Sequence, residues 1–291
     1  MSVFVQQCGS LCEFSSSDSW VILSPIEQSI KRKIEAVGTP LKDWDIQINY
    51  GIKTGFNDAF IINTEKRDEI LANCHTDEER SRTAELIRPI LRGRDIKRYG
   101  YEWAKLWLIN THNGVKGKFE RIHIEDFPAV KAHLDQYWDK ISKRADKGDT
   151  PYNLRNCAYM EDFLQPKIVW KRVGSILRFS YNENGAMALD STCFATGKDI
   201  KFLVGILNSK MGHYLLKDAP KTGTGDLLIS VQAVEPLKIP ILNKGIKEEL
   251  EVLLNKQLYS VSKERDKEIN RIVFKLYGLL DEEIIFIENS L

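Results

Sequence analysis

Three stretches of the chain combine glycines, basic side chains and small polar groups in the manner of a binding loop. They are Gly51-Ile52-Lys53-Thr54-Gly55-Phe56-Asn57-Asp58-Ala59-Phe60, Arg88-Pro89-Ile90-Leu91-Arg92-Gly93-Arg94-Asp95-Ile96-Lys97-Arg98-Tyr99 and Thr111-His112-Asn113-Gly114-Val115-Lys116-Gly117-Lys118. Lys and Arg neutralise phosphates, small residues let backbone amides approach, and Asn or Arg can read base edges in the major groove. These residue types favour binding of a polyanion such as duplex DNA.

A set of residues in and around these stretches is predicted to contact DNA. They are Lys53, Thr54, Asn57, Arg88, Arg92, Arg94, Lys97, Arg98, His112, Asn113, Lys116, Arg144, Lys147, Arg155, Lys171, Arg172 and Lys221, with Lys118 completing the third loop. Most are expected to grip phosphates, whereas Asn57 and Asn113 are candidates for reading bases, as are the loops near Lys147, Lys171 and Lys221. The alternative is that basic side chains near Asp95, Glu102 and Asp146 form surface salt bridges only.

Motifs for bond making or breaking are missing from the sequence. A DNA amino-methyltransferase that flips its target base needs an Asn-Pro-Pro-aromatic tetrapeptide, and no two of the nine prolines are adjacent. The Gly51 stretch has neither the dinucleotide-binding nor the Walker spacing. Asp162 followed by Lys167 and Lys171 superficially suggests a metal-dependent nuclease, but no Glu-x-Lys follows on that strand. We therefore predict no catalytic residues in this chain.

The histidines and cysteines do not form a recognisable metal or disulfide pattern. His112, His123 and His133 are predicted to lie on different elements, as surface or hydrogen-bonded residues. The five cysteines are scattered, and Cys8 and Cys12 lack a second ligand pair at zinc spacing. No metal or cofactor is predicted here. A reducing cytoplasm fits this cysteine usage best.

Charge is unevenly distributed along a chain that is nearly neutral overall. The 291 residues include 42 Lys and Arg against 41 Asp and Glu, so total charge gives no argument for a polyanion partner. Between Arg88 and Arg121, however, nine basic residues face three acidic ones. No apolar run approaches the roughly 20 residues of a membrane span, and no signal sequence is recognisable. The sequence predicts no membrane association.

Periodicity and capping signals predict a mixed α/β fold. Ser24, Pro25 and Glu27 begin a helix to about Val37. Alternation from Trp44, then Phe60-Ile61-Ile62, predicts a hairpin-like pair of strands around the first glycine loop. Helices are further predicted from Thr64 to about Cys74, from Thr76 to before Pro89, and from Asp126 to Lys143-Arg144. Strands are predicted over residues 103–109, 167–172, 177–181 and 193–196.

The last third of the chain changes character. Residues 200–216 predict a helix, residues 221–226 a mobile loop and residues 237–242 an extended connector. After Gly245 the apolar spacing predicts a long helix, broken near Ser260 to Ser262, and Asp281 is expected to cap a last short helix. We therefore divide the chain into a lead-in strand and helix (1–43), a β-sheet-centred recognition domain with flanking helices (44–243) and a C-terminal helical segment (244–291).

The first two basic stretches closely resemble the TaqI-like C-terminal specificity domain of bacterial restriction-modification enzymes. Further similar stretches occur in the expected order and extend to the end of the chain. They are Thr111-His112-Asn113-Gly114, Pro166-Lys167-Ile168-Val169-Trp170, Gly205-Ile206-Leu207-Asn208-Ser209-Lys210, Pro236-Leu237-Lys238-Ile239-Pro240-Ile241 and Asn270-Arg271-Ile272-Val273-Phe274-Lys275-Leu276-Tyr277-Gly278-Leu279. Together these stretches are specific, although each alone is weak.

The resemblance implies a target-recognition domain of a type IIG restriction enzyme and adenine-N6 methyltransferase. In that family an upstream domain binds S-adenosylmethionine and flips the adenine, while the specificity part grips double-stranded DNA and selects the sequence. S-adenosylmethionine and magnesium are expected only for the methyltransferase domain or subunit, which would be this chain's protein partner. The chain is expected to be a C-terminal fragment or a separately encoded specificity half.

Two other functions are compatible with the sequence. In the first, the chain is an assembly module whose long C-terminal helix binds a partner subunit, and the basic loops do not bind DNA. In the second, the chain is a hydrolase acting alone, for which it lacks a credible acid pair or metal set. Magnesium-dependent cleavage by the purified chain would support the hydrolase.

Overall fold

The computed structural model describes residues 23–291. The first 22 residues of the predicted lead-in (1–43), with Cys8 and Cys12, lie outside this range. The helices are α1 (Pro25–Val37), α2 (Asn57–Phe60), α3 (Thr64–Ala72), α4 (Asp77–Leu86), α5 (Pro128–Asp135), α6 (Trp138–Ile141), α7 (Ile200–Asn208), α8 (Lys210–Leu215), α9 (Val231–Val234), α10 (Lys244–Tyr259), α11 (Lys263–Leu276) and α12 (Asp281–Asn289). The strands are β1 (Gly38–Pro40), β2 (Ile46–Tyr50), β3 (Ile61–Asn63), β4 (Ile87–Leu91), β5 (Leu106–Ile109), β6 (Lys167–Lys171), β7 (Val173–Gly174), β8 (Phe179–Asn182), β9 (Met187–Ala188), β10 (Thr192–Gly197), β11 (Leu227–Leu228) and β12 (Lys238–Pro240).

Local capping chemistry sets several helix boundaries as predicted. The Ser24 hydroxyl accepts a hydrogen bond from the Glu27 N–H, and the Glu27 carboxylate accepts one from the Ser24 N–H, so α1 begins with a capping box. Thr76 caps α4 through the Glu79 N–H. The predicted break at residues 260–262 separates α10 from α11, where Ser262 is the N-cap. These boundaries depend on residues close in sequence, which is why the sequence predicts them.

The single helix predicted from Asp126 to Lys143-Arg144 is wrong, because the structure has two helices there, α5 and α6, separated by Gln136 and Tyr137.

Two further local predictions are wrong. Residues 200–216 form two helices, because Ser209 ends α7 and its hydroxyl accepts a hydrogen bond from Gly212 N–H at the start of α8. Asp281 is not a cap, because it lies in the first turn of α12 behind Leu280. In both cases a residue that can cap a helix was assigned the wrong position relative to the helix end.

Two four-stranded sheets form the centre of the molecule. Sheet one is antiparallel with strand order β2-β10-β6-β8, and sheet two has the order β3-β5-β4-β9 with β4 and β9 parallel. The predicted hairpin around the first glycine loop is wrong, because β2 pairs with β10 in sheet one and β3 pairs with β5 in sheet two. The loop that follows Gly51 therefore carries the chain from one sheet to the other.

Sheet one lies between two hydrophobic cores, with one core on each face. On β6, Ile168 and Trp170 face core one, and Val169 faces core two. On β10, Cys193 and Ala195 face core one, and Phe194 faces core two. Successive side chains of a strand point to opposite faces, so a strand buried on both faces reads as a continuous apolar run. This explains why residues 167–170 are all buried.

The two ends of the described chain pack together on core one. Strand β1 pairs antiparallel with β12, and core one includes Ile30 of α1 together with apolar residues of α10, α11 and α12. Core two is formed by apolar residues of sheet two and α5, together with other apolar residues between Ile52 and Phe194. The cores do not divide the chain into consecutive segments, and the domain boundaries after residues 43 and 243 stay a prediction.

The predicted fold class, a mixed α/β structure centred on sheets with a helical C-terminal segment, is confirmed. Within residues 23–291, no helix has the length and apolar character needed to cross a membrane.

Candidate nucleic-acid interface

A continuous depression, here called the basic cleft, runs across the ends of strands from both sheets. It consists of four adjoining hollows, the largest with a volume of about 1050 Å³ beside residues 113–121. That hollow shares Asn156 and Cys157 with a second one of about 780 Å³ beside residues 50–53. The second shares Asp190 with a third, and the third shares Arg94 and Lys171 with a fourth. Neighbouring hollows therefore have common walls.

The strand ends explain how distant residues meet in the cleft. Residues 51–53 follow β2, residues 92–94 follow β4, residues 171–178 connect β6 to β8, and residues 189–191 connect β9 to β10. Because sheet one and sheet two share core two through Val169 and Phe194, the ends of these strands lie at one side of the molecule. Loops held on a rigid scaffold in this way are common binding surfaces.

Basic side chains outnumber acidic ones along the cleft. The ten basic residues that line it are Lys53, Arg92, Arg94, Lys116, Lys118, Arg121, Arg155, Lys171, Arg172 and Arg178. The four acidic residues are Asp58, Glu120, Asp149 and Asp190. A concave surface lined mainly by one sign of charge concentrates the opposite charge. The cleft is therefore suited to an anionic polymer.

Five of these cations, including the half-buried Arg172 and Arg178, have no ion pair among residues 23–291, and the other three are exposed. Arg94, Lys116 and Lys171 are exposed, and no carboxylate in the described chain lies within ion-pair distance of them. Arg94 and Lys171 line the same two hollows. Cations that are exposed and unneutralised can contact a phosphate without first losing an internal partner.

Other cleft cations are held in exposed ion pairs. Asp146 pairs with Lys53 at 2.7 Å and with Arg155 at 3.2 Å, and the hydrogen bond from Lys53 lowers the pKa of Asp146 below its usual range. Lys118 pairs with Glu161. Exposed pairs of this kind contribute little to stability, so the cations can exchange a carboxylate for a phosphate at small cost.

The predicted residues divide into two groups. Nine of them line the cleft: Lys53, Asn57, Arg92, Arg94, Asn113, Lys116, Arg155, Lys171 and Arg172. The others, Thr54, Arg88, Lys97, Arg98, His112, Arg144, Lys147 and Lys221, do not line the four hollows. Whether any of them contacts DNA stays a prediction, but three of the second group have clear internal roles.

Arg144 has an internal structural role, and whether it also contacts DNA stays a prediction. Its side chain is 7% exposed, and its two terminal nitrogens donate to the backbone carbonyls of Thr54, Asp146, Pro151 and Asn153. The guanidinium carbon also lies 4.4 Å from the centre of the Phe60 ring. Burial lowers the pKa of Arg144 to about 10.

Thr54 and Arg98 also have internal partners. Thr54 is 1% exposed, and its hydroxyl donates to the Asn57 side chain at 2.6 Å and accepts from the Phe56 N–H. Arg98 donates to both carboxylate oxygens of Asp266, at 2.7 and 3.2 Å, and to the Asn208 carbonyl. These bonds give Thr54 and Arg98 roles inside the protein, while 36% of the Arg98 side-chain surface stays exposed.

Two further predicted residues have internal partners at the cleft wall. The Asn113 amide donates to Asp149 and Asn156, and its oxygen accepts from the Asp149 N–H at 2.8 Å. The His112 ring packs edge-on against the Phe119 ring, with 4.9 Å between the ring centres, and the His112 Nδ1 accepts a hydrogen bond from the Gly114 N–H. Burial lowers the pKa of His112. Both residues therefore shape the 113–121 loop.

The nuclease-like set does not assemble into a site. The Asp162 carboxylate accepts a hydrogen bond from Asn49 at 2.9 Å, whereas the Lys167 ammonium is buried and donates to the Phe163 carbonyl at 2.6 Å. Burial lowers the pKa of Lys167 to about 8. In the described part of the chain, no group of three or more His, Cys, Asp or Glu side chains is arranged to hold a metal ion.

Sequence reasoning missed three residues of the cleft. Arg121 and Arg178 line it, and so does Asp190 in the turn before β10. Arg178 follows Lys171 and Arg172 in the same β6–β8 connection, a clustering of basic residues that could have identified it. Asp190 has no such signal, because its position depends on pairing between distant strands.

Comparisons with known proteins agree with this architecture. The family model of the TaqI-like C-terminal specificity domain matches residues 88–241, just over half of the chain. A search of curated protein sequences gave no match.

Among solved structures, the chain is similar to the type IIL restriction-modification enzyme MmeI in complex with DNA, with a TM-score of 0.62 and 12% sequence identity. That match covers 87% of this chain and 36% of the MmeI chain. A match to the type IIG restriction endonuclease BpuSI has a TM-score of 0.47, 16% identity, and covers 88% of this chain and 34% of BpuSI. The chain thus spans about a third of the length of each enzyme. On the family match, the chain belongs to the TaqI-like C-terminal specificity domain family.

Proposed function

We propose that this chain is a sequence-specific recognition module for double-stranded DNA and that the basic cleft is its DNA-binding surface. The observation that carries the proposal is the placement of unpaired Arg94, Lys116 and Lys171 along one continuous concave surface within the described chain. Phosphate contacts from such side chains fix the register of a protein on the duplex. Polar groups between them then read the base edges.

The cleft offers both kinds of contact. Its cations outnumber its acids, which provides the electrostatic attraction that dominates affinity for DNA. Neutral polar side chains lie between the cations, including Asn57, Asn156, Ser191 and Gln232. Amides and hydroxyls at these positions can donate to and accept from base edges, which cations alone cannot do.

The family and the fold support this proposal. The family is described as a specificity domain, and MmeI, whose fold is similar, was solved in complex with DNA. We infer by analogy that this chain selects the sequence on which an enzyme acts.

The enzymatic activity would belong to a methyltransferase domain or subunit that works with this chain. We propose adenine-N6 methylation as that activity, with S-adenosylmethionine and magnesium bound outside this chain. The purified chain should then neither transfer a methyl group to DNA nor cleave it when magnesium is added. Either activity in the purified chain would contradict this division of labour.

A second candidate function is assembly with a partner protein through the C-terminal helices. Several large apolar side chains are exposed there, including Val252, Tyr259, Leu280 and Ile285. Contiguous exposed apolar residues often mark protein interfaces. Such an interface is compatible with DNA binding at the cleft, because α10 and α12 do not line it.

The experiment that tests DNA binding is a titration of the purified chain into a fluorescent duplex pool of mixed sequence over a salt series. We expect log affinity to fall linearly with log salt, with a slope of about −0.9 for each phosphate neutralised. A slope equivalent to several phosphates supports the cleft as a DNA surface. Absence of salt-dependent affinity for any duplex would contradict the proposal and favour the assembly function.

A further inference from the structure

Asp190 occupies the middle of the basic cleft without a partner in the described chain. It lines both the second and the third hollow, so it lies where they join. Its side chain is half-buried, and within residues 23–291 its carboxylate makes neither an ion pair nor a hydrogen bond. The carboxylate oxygens reach the solvent of the cleft, so they are open to a hydrogen-bond donor from outside the chain.

The backbone that carries Asp190 is fixed from sheet two and from the first glycine loop. Leu189 N–H donates to the Leu91 carbonyl at 2.9 Å, and Asp190 N–H donates to the Ile52 carbonyl at 2.9 Å. Thr192 N–H closes the turn by donating to the Leu189 carbonyl at 2.8 Å. These bonds tie the turn to strand β4 and to the segment after β2.

The same turn is also hydrogen-bonded to Arg172, Gly93 and Gly51, which line the cleft as well. The Ser191 carbonyl accepts from Arg172 N–H at 3.0 Å, and the Ser191 hydroxyl accepts from Gly93 N–H at 3.0 Å. Gly51 N–H donates to the Thr192 carbonyl at 3.0 Å. The turn is therefore held by the segments that follow β2, β4 and β6. The Asp190 backbone is in a fixed position before any ligand binds.

The other acids of the cleft do not share this arrangement. Asp149 is paired with Arg121 and accepts from the Asn113 amide. Asp58 and Glu120 are exposed to solvent. A phosphate cannot be the partner of Asp190, because two anions repel. The remaining donors on a duplex are the amino groups of its bases.

Cytosine is the base that matches a carboxylate best in the major groove. It presents the N4 amino group there as a donor, with no acceptor beside it. Adenine presents an amino group next to the N7 acceptor, and guanine and thymine present acceptors at the corresponding edges. A carboxylate only accepts hydrogen bonds, so it favours cytosine and opposes guanine and thymine.

We propose that Asp190 is a specificity-determining residue that reads one cytosine of the target sequence through its N4 amino group. The proposal rests on the proposed function, because it requires that a duplex occupies the basic cleft. In that complex the Asp190 carboxylate accepts a hydrogen bond from the N4 amino group of cytosine at one position of the target. This contact also explains why an acid lies in the middle of a surface built for phosphates.

The test is selection of bound duplexes from a pool with a randomised central segment, using the full chain, Asp190→Asn and Asp139→Asn. The wild-type chain should enrich a sequence with cytosine at one fixed position. Asn both donates and accepts, and pairs well with adenine, so D190N should lose the cytosine preference about tenfold to hundredfold and gain adenine there. D139N removes the same charge at an exposed position outside the cleft and should keep the cytosine preference.

A chemical version of the test uses the selected duplex with pyrimidin-2-one in place of that cytosine, which lacks the N4 amino group. The wild-type chain should lose about tenfold or more in affinity, whereas D190N should lose nothing further. Because the Asp190 side chain makes no hydrogen bond within residues 23–291, D190N should fold normally, and circular dichroism verifies this.

The two proposals fail in different ways. If the wild-type chain binds no duplex in a salt-dependent manner, the DNA-binding function is wrong and the role of Asp190 is wrong with it. If the wild-type chain selects a sequence and D190N selects the same one, only the role of Asp190 is wrong. Equal loss of preference in D190N and D139N would also overturn it, because the effect would then be one of general charge.

Discussion

The stretch from Arg88 to Tyr99 supplies one arginine to a region with an excess of positive charge and another to a region where the charges are paired. Arg94 projects into the basic cleft and has no ion pair among residues 23–291. Arg98, four residues later, lies in what we call the Asp266 junction, formed by Arg98, Tyr99, His213, Gln257 and Asp266. There the Asp266 carboxylate accepts from Arg98, from the Tyr99 hydroxyl at 2.7 Å and from the Gln257 amide at 3.0 Å.

The charges of the Asp266 junction stabilise the fold, whereas the unpaired charges of the cleft are free to bind a ligand. The Asp266 junction joins the second basic stretch to α11, so its charges are neutralised inside the protein. In the cleft, repulsion among the cations opposes folding and is relieved when an anion binds. Substitutions in the junction should therefore change stability, and substitutions of unpaired cleft cations should change DNA binding.

The largest effect is expected where the cleft is built from backbone. A Cβ at Gly51 would lie 2.0 Å from the Leu189 carbonyl oxygen, so Gly51→Ala must separate the first glycine loop from the turn that carries Asp190. We expect the free energy of unfolding to fall by about 3 kcal/mol or more, measured by urea denaturation. Gly223→Ala is the matched control, because a methyl group at that position would meet no described atom within 4 Å. An equal effect of both changes would contradict the close packing at Gly51.

The next largest effect is expected at the junction. Asp266→Asn removes the charge that Arg98 pairs with and weakens the bonds from Tyr99 and Gln257. Hydrogen bonds to charged groups contribute about 1.5–3 kcal/mol, so we expect a loss of about 2 kcal/mol in urea denaturation. Asp139→Asn, which changes an exposed helical aspartate, should leave stability unchanged. A D266N protein as stable as the wild type would show that the junction charges do not hold the fold.

Acid should weaken the same junction. Burial, together with the positive charges of Arg98 and Lys210, lowers the pKa of His213 to about 4 from the ordinary value of 6.5. Between pH 6.5 and 4 the unfolded chain binds the proton and the folded chain does not, so the free energy of unfolding falls as pH falls through this window.

His213→Gln should remove about 2 kcal/mol of that decrease, after allowance for partial exposure of the ring. Urea denaturation of the wild type and the variant at pH 6.5 and at pH 4 measures the difference. His75→Gln, which replaces an exposed histidine, should retain the wild-type decrease. If the wild type and H213Q lose equal stability, His213 is not protonated on unfolding.

The smallest effect separates two arginines of one loop. Arg92 is paired with the buried Asp95 at 2.8 Å, and hydrogen bonding to Asp95 raises the pKa of Arg92, whereas Arg94 is free to contact a phosphate. Arg94→Ala should reduce the magnitude of the salt slope of DNA binding by about 1. Arg92→Ala should lower stability by about 1 kcal/mol and leave the slope unchanged. The reverse result would assign Arg92 to the phosphate and Arg94 to the fold.

Local features of the fold were predictable because they depend on neighbouring residues. The capping box of Ser24 and Glu27, the Thr76 cap and the break between α10 and α11 are all determined within short segments. The family resemblance was also predictable and is confirmed by the match over residues 88–241. Stretches that recur in a fixed order identify a family even when each is weak.

Pairing over long distances was not predictable. Residues of β2 pair with β10, which lies more than a hundred positions later, so the hairpin expected from local alternation does not form. Whether a cation is paired inside the protein also depends on residues that are far from it in sequence. Nothing near Arg98 in sequence indicates Asp266, and nothing near Arg144 indicates the carbonyl of Thr54. Residue type alone therefore cannot distinguish a structural arginine from one that is free to bind.

The most direct test of the central claim, that DNA binds in the basic cleft, is amide hydrogen exchange of the full chain with and without duplex. We predict slower exchange in residues 50–53, 92–94, 113–121, 155–159, 171–178 and 189–191 when DNA is bound, and no change in α10 and α12. Slower exchange confined to the C-terminal helices, with the cleft loops unaffected, would contradict the claim.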